Sequence, residues 1–206
     1  MRVFGHKSPT FGLRLLAAIA LAASTVALAG GCSSQHVRVA AGLTGTPLDP
    51  PKAAPDAVLT NENDRPAHLL DRGAAATFLF FGYTHCPDEC PLALASLGRA
   101  DRKLPAATRE RVRIVFVTVD PARDTPSVIK AYVRKFDRRM TGLTGSPAAL
   151  ARVWEAYGVT VDRTSHEIGH GDEIYAIDRS AHVVLVYPPD AGADDLAKDA
   201  AALATT

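Results

Sequence analysis

Phe80-Phe81-Gly82-Tyr83-Thr84-His85-Cys86-Pro87-Asp88-Glu89-Cys90-Pro91 joins a strand signal to a helix signal, and it carries two of the chain's three cysteines. Residues 77–81 are apolar without alternation, the pattern of a strand covered on both faces. Residues 91–104 read as a helix, closed before Pro105. If that helix begins at Cys86, Cys86 and Cys90 stand at i and i+4, on one face and one turn apart. The N–H groups and dipole of a helix start favour a negative thiolate. Pro87 suits the first helical position, where its missing N–H has no partner to lose. Asp88 and Glu89 oppose thiolate formation but favour a bound cation.

Outward from this stretch, strands and helices alternate. Residues 58–60 start a short strand, 61–66 form a turn, and 67–70 resume in extended form. Residues 112–119 are a second apolar, β-branched run that ends in Asp120-Pro121. Helices are predicted over 127–138, behind Pro126, over 148–157, stopped by Gly158, and over 194–203. Strands are predicted over 174–177 and 182–187, with 178–181 between them as a hairpin turn that lacks glycine. This order predicts a central sheet flanked by helices. There are no internal repeats and no second domain.

The first 31 residues have export character. Arg2, Lys7 and Arg14 precede an apolar run over 15–28, too short for the roughly 20 residues a bilayer requires. Small residues 29–31 lead into Cys32, in a pattern similar to a lipobox, in which the cysteine is lipidated and becomes the first mature residue. Residues 32–55, rich in Ala, Gly, Thr and Pro, read as a flexible tether, and 56–206 as the folded domain. The net charge of +1 includes the three positive residues of the signal, so the remainder carries −2. No basic run survives, which excludes a nucleic-acid footprint.

With Cys32 assigned to lipid, Cys86 and Cys90 are the only thiols in the folded part. A structural disulfide closing so short a loop constrains little of the unfolded chain. A redox dithiol is open, with Cys86 as the more exposed, attacking sulfur. A metal site is also open: two thiolates favour Cu(I), and an added imidazole accommodates Cu(II). Zinc normally takes four ligands, and no second cysteine pair supplies them.

A third ligand must come from histidine. His6 lies in the signal and His36 in the tether. His68 reads as surface, His182 lies in the last hairpin, and His85 reads as a packing or pKa-tuning neighbour of Cys86. His166 and His170 share a polar loop before a strand. Spacing favours His170 only slightly over His166.

The chain resembles the Sco/SenC family of copper-binding thioredoxin-like proteins from about residue 58 to 189. Residues 80–91 look like the family signature. Thr118-Val119-Asp120-Pro121-Ala122-Arg123-Asp124-Thr125-Pro126 looks like its second motif. His170, five residues before Tyr175, matches the third, with Gly169 where family members often carry Asp. The resemblance selects His170 over His166. It implies a thioredoxin-like mixed sheet with an N-terminal hairpin and an insertion before the histidine loop. It further implies copper bound by Cys86, Cys90 and His170, and delivery to, or thiol reduction of, the copper A site in cytochrome c oxidase subunit II. Asp120 and Arg123 are expected near the metal, or else as a turn cap and as the partner of Asp124 or another acid. Tyr83 and Phe81 are expected as core or pocket wall. The expectation is therefore an exported, lipid-anchored copper chaperone, facing the periplasm or cell exterior, with cytochrome c oxidase or another copper acceptor as partner. A thiol–disulfide oxidoreductase with incidental copper binding is the alternative. The three-residue spacing of the pair argues against it, because redox motifs usually space cysteines two residues apart.

Overall fold

The computed structural model describes residues 42–163 and 168–205. The elements follow in the order β1 (Thr46–Ala53), β2 (Val58–Asn61), β3 (Pro66–His68), β4 (Ala76–Gly82), α1 (Glu89–Lys103), α2 (Ala106–Arg109), β5 (Val112–Thr118) and α3 (Pro126–Val133). After these come β6 (Thr141–Thr144), α4 (Pro147–Tyr157), β7 (Val161–Arg163), β8 (Ile168–His170), β9 (Ile174–Asp178), β10 (His182–Tyr187) and α5 (Ala193–Leu203). Eight strands form one mixed sheet in the order β1-β10-β9-β4-β5-β6-β2-β3, and β7 and β8 form a separate ribbon. The β2–β3 hairpin and the β7–β8 ribbon stand where an N-terminal hairpin and an insertion were expected.

Every residue of β4 is buried, which is why its sequence does not alternate. Phe78, Leu79, Phe80 and Phe81 are each 2 % exposed or less, at the centre of the core. Burial of each such side chain is worth about 1.5–3 kcal/mol. α1 returns the chain from β4 to the parallel β5, and α3 returns it from β5 to the parallel β6.

Register decides where the site falls. Gly82 pairs with Thr118, so the segments that follow β4 and β5 leave the sheet side by side. β9 is antiparallel to β4, with Ile174 opposite Phe80, so the chain enters β9 at that same end just after His170. Three distant segments are thereby gathered at one edge of the sheet.

Several elements differ from expectation. Residues 46–53, assigned to the tether, form β1, an edge strand on β10 with a register shift between Pro47 and Lys52. The folded part thus begins before residue 56. The three prolines of β1, Pro47, Pro50 and Pro51, are tolerated because an edge strand has N–H groups with no ladder partner to lose. α1 begins at Glu89, not at Cys86, with Asp88 at its N-cap, so Pro87 precedes the helix instead of taking its first position. α3 ends at Val133, because Asp137 turns inward to meet Arg102 at 3.2 Å and Arg109 at 3.4 Å. The turn between β9 and β10 has no glycine. Ala181 adopts a φ of 57°, and Asp178 Oδ1 accepts from the N–H groups of Ser180 and His182, both at 2.9 Å.

Among the described residues no helix is long and apolar enough to cross a membrane. The expected signal, Cys32, the first part of the tether, His6, His36 and His166 lie outside the described residues.

Candidate metal centre

The chain leaves β4 through Gly82, where any side chain would have to displace its neighbours. A Cβ at this position would lie 2.8 Å from Cys90 Sγ and 2.9 Å from the Phe80 ring. The missing side chain lets Cys90, fully buried in the first turn of α1, pack directly against the end of the strand.

Cys86 does not belong to the helix. It sits in the turn before it, half-buried, with its N–H donating to the Tyr83 carbonyl at 3.2 Å. Its sulfur accepts the Cys90 N–H at 3.4 Å. That is the service an N-cap side chain gives to the open N–H groups of a first turn, and Asp88 makes no such bond. The two thiols also differ in acidity. The hydrogen bond from the Cys90 side chain pulls the Cys86 thiol down to about 6, against the opposing effect of burial, with help from backbone N–H groups of Cys90, Asp88 and Glu89. Cys90 is pushed up, first by pairing with the Cys86 thiolate and then by burial. At neutral pH the pair is one thiolate and one thiol.

His170 closes β8 and brings Nε2 to 3.8 Å from Cys90 Sγ. Its Nδ1 lies 2.7 Å from the Gly171 carbonyl oxygen. A carbonyl can only accept, so Nδ1 carries a proton and donates it there, and Nε2 is the ring nitrogen that faces the sulfur. The ring is met edge-on by Tyr83, at a centroid distance of 5.8 Å, and by Phe80, at 6.5 Å. Tyr83 is therefore a wall of this pocket. Phe81 is core on the other face, against Tyr157 and Tyr175.

The segment after β5 supports the cysteine turn. Arg123 pairs with Asp120, not with Asp124, and its guanidinium lies 6.0 Å from the Tyr83 ring centre. The backbone N–H of Asp120 donates to Thr118 Oγ1 at 2.8 Å. Asp124 is the residue the sequence reading missed. Its carboxylate accepts from Thr84 N–H at 3.1 Å, Thr84 O–H at 2.6 Å and Thr118 O–H at 2.6 Å. Its place in the second motif, Thr118 to Pro126, was the available signal, but its adjacency to Arg123 suggested a local pair instead.

The other described histidines lie elsewhere. His68 is exposed and binds Asp56 at 2.6 Å. His182 approaches Asp178 at 3.9 Å. The exposed His85 faces Thr84 Oγ1 at 3.1 Å and Asp124 at 3.9 Å. Among the described residues no three ligating side chains enclose a common point. The sequence-selected Cys86, Cys90 and His170 form a sulfur pair with an imidazole against the buried sulfur, not a closed cage.

This sheet order, with a dithiol between a buried strand and the next helix, defines a thioredoxin-like protein with an added histidine arm. Residues 44–205 match the SCO1/SenC family model, and the chain belongs to that family. It is 38 % identical over 138 residues to a Stutzerimonas stutzeri protein whose name proposes copper binding, covering 66 % of this chain and 65 % of that relative. Apo Sco1 from Thermus thermophilus superposes with a TM-score of 0.71 at 34 % identity, over 80 % of this chain and 99 % of the other. ScoI from Bradyrhizobium japonicum, solved with copper bound, gives a TM-score of 0.65 at 31 % identity, over 72 % and 97 %.

Proposed function

We propose that this chain is a membrane-tethered copper chaperone. It binds one copper ion through Cys86, Cys90 and His170 and delivers it to, or keeps reduced the thiols of, the copper A site of cytochrome c oxidase. The observation that carries this reading is the 3.8 Å approach of His170 Nε2 to Cys90 Sγ, with the Nδ1 proton committed to Gly171. An imidazole oriented by a backbone acceptor on its other nitrogen is the usual preparation of a metal ligand. The donor set fits the cargo: two soft sulfurs suit Cu(I), and the imidazole extends the set to Cu(II). Relatives solved with copper bound support the choice of metal.

The residues divide the work. Cys86, half-buried and already a thiolate at neutral pH, is the first sulfur available to an incoming ion. Cys90 gives up its proton as the second sulfur binds. Three protein donors leave room for an acceptor's thiolate to enter before a chaperone sulfur leaves. Export through residues 1–31 and lipidation of Cys32 are part of this proposal, and they place the domain at a membrane facing the periplasm or cell exterior.

A titration of the soluble domain with Cu(I) against a competing chelator tests the reading. One equivalent is expected for the wild type and none for the double variant Cys86→Ser, Cys90→Ser. Stoichiometric Cu(I) binding by the double variant overturns it.

One observation favours a second reading, a thiol–disulfide oxidoreductase. The accessible Cys86 is the acidic thiol and the buried Cys90 is not, the asymmetry of an attacking and a resolving cysteine. Cys86 would attack an acceptor disulfide and release one acceptor thiolate. Cys90 would then attack Cys86 in the mixed disulfide and release the other. Two electrons pass to the acceptor, and an external thiol must reduce the pair again. A potential near that of glutathione, with weak Cu(I) binding, would favour this enzyme.

A further inference from the structure

Asp124 is not a donor to the site, yet its side chain is hydrogen-bonded to the turn that carries Cys86. Its side chain is 0 % exposed, and among the described residues no lysine or arginine lies within 4.0 Å of it; the nearest basic side chain is the His85 ring, at 3.9 Å. A buried carboxylate with no lysine or arginine is costly unless hydrogen bonds compensate it. Here three donors do so: the N–H and O–H of Thr84 on the cysteine turn, and the O–H of Thr118 at the end of β5. These bonds join two segments that are neighbours only through the register of β4 and β5.

The two cysteines depend on this join unequally. Cys90 is held by α1 and packs under Gly82. Cys86 lies in the turn, where its own N–H reaches back only to Tyr83. Thr84 is the last residue before Cys86 with a long-range hydrogen bond, and that bond goes to Asp124.

Resting on the reading that the cysteine pair carries copper or redox chemistry, we propose that Asp124 is a positioning residue: its carboxylate clamps Thr84 to the end of β5 and so sets where Cys86 stands relative to Cys90. Metal capture and disulfide formation both require Cys86 beside Cys90. If the clamp is cut, the turn must be ordered again in each bound or oxidised state, and fixing the backbone of one residue corresponds to roughly a tenfold factor in an equilibrium constant. An Asp124 that served only the fold would change stability and leave the chemistry of the folded protein alone.

The test uses Thr84→Val, which keeps the shape and the N–H bond, and Asp124→Asn. Ser146→Ala, which removes the N-cap of the distant α4, is the stability control. Each protein is equilibrated with glutathione: the two thiols and one glutathione disulfide give the Cys86–Cys90 disulfide and two glutathione thiols. Cu(I) affinity is measured in parallel. The exchange constant is expected to fall about tenfold in Thr84→Val and Asp124→Asn, a rise of about 30 mV in potential, and Cu(I) affinity to fall by a similar factor. Ser146→Ala changes neither. An exchange constant for Thr84→Val within twofold of the wild type overturns the proposal, whether or not Asp124→Asn folds. A wild-type protein that does not bind Cu(I) would instead refute the copper reading, and the glutathione equilibrium would still read the clamp.

Discussion

The cysteine side of the candidate centre is anchored on β4, α1 and, through Asp124, the end of β5, whereas His170 is carried on a ribbon of two three-residue strands outside the main sheet. Cys90 is fully buried beneath Gly82, and Cys86 is tied to the helix start by the bond to its sulfur. His170 is oriented by one backbone acceptor and two ring edges. A short two-stranded ribbon has little stability of its own, so moving the imidazole costs less than moving either sulfur. The sulfur pair is the fixed part of the centre, and the histidine is the part that can be added or withdrawn. Under the proposed chaperone function, that inequality would serve both the holding and the release of one ion.

The strongest way to break the comparison is to disturb the fixed side. Gly82→Val places carbon where Cys90 Sγ and the Phe80 ring now lie. Overpacking of this kind costs about 1–3 kcal/mol, and the same change pushes Cys90 out of line. Loss of thermal stability together with loss of tight Cu(I) binding is expected; wild-type affinity in a folded Gly82→Val protein would show that the site does not depend on this packing.

Disturbing the other side sharpens the comparison. His170→Ala is expected to reduce Cu(II) affinity by about a hundredfold or more, while Cu(I) affinity falls by about tenfold or less. Competition titrations with each oxidation state measure this. Equal losses for both ions would remove the distinction between the two sides.

The smallest effect lies within the sulfur pair. The thiolate is the nucleophile, and the Cys86 pKa is lowered to about 6. In the metal-free, reduced protein, iodoacetamide labelling of Cys86 should therefore rise with pH through a midpoint at about 6 and level off as the thiolate form becomes complete. Cys90, whose pKa is raised, should stay unlabelled through neutral pH. Labelling followed by peptide mass spectrometry separates the two sites. Equal labelling of both cysteines would contradict the assigned asymmetry.

Most of what places the sulfur pair was legible in the sequence, because it rests on strong local signals. The unbroken apolar run of β4 has the pattern of a strand buried on both faces, and Cys86 and Cys90 follow it directly. The start of α1 was misjudged because sulfur, not a conventional capping side chain, serves its first turn. β1 was hidden by prolines that only an edge position tolerates. β6 was hidden by Gly142, which is needed because a Cβ there would lie 2.1 Å from Ile129 on α3. Neither packing requirement is local in sequence. The Asp124 clamp was invisible for the same reason: Thr84 is 40 residues away, brought close by the pairing of Gly82 with Thr118. His170 was favoured only slightly by spacing and was chosen by family resemblance. The structure adds its approach to Cys90, which no spacing rule supplies.

In the proposed centre, two sulfurs of one chain and one imidazole hold the cargo. X-ray absorption at the copper edge of the Cu(I)-loaded domain reads this ligand set directly, alongside the molecular mass in solution. Two sulfur neighbours and one imidazole nitrogen on a monomer are the predicted result. A shell made only of nitrogen and oxygen, or of sulfurs shared between two copies of the chain, would contradict the account.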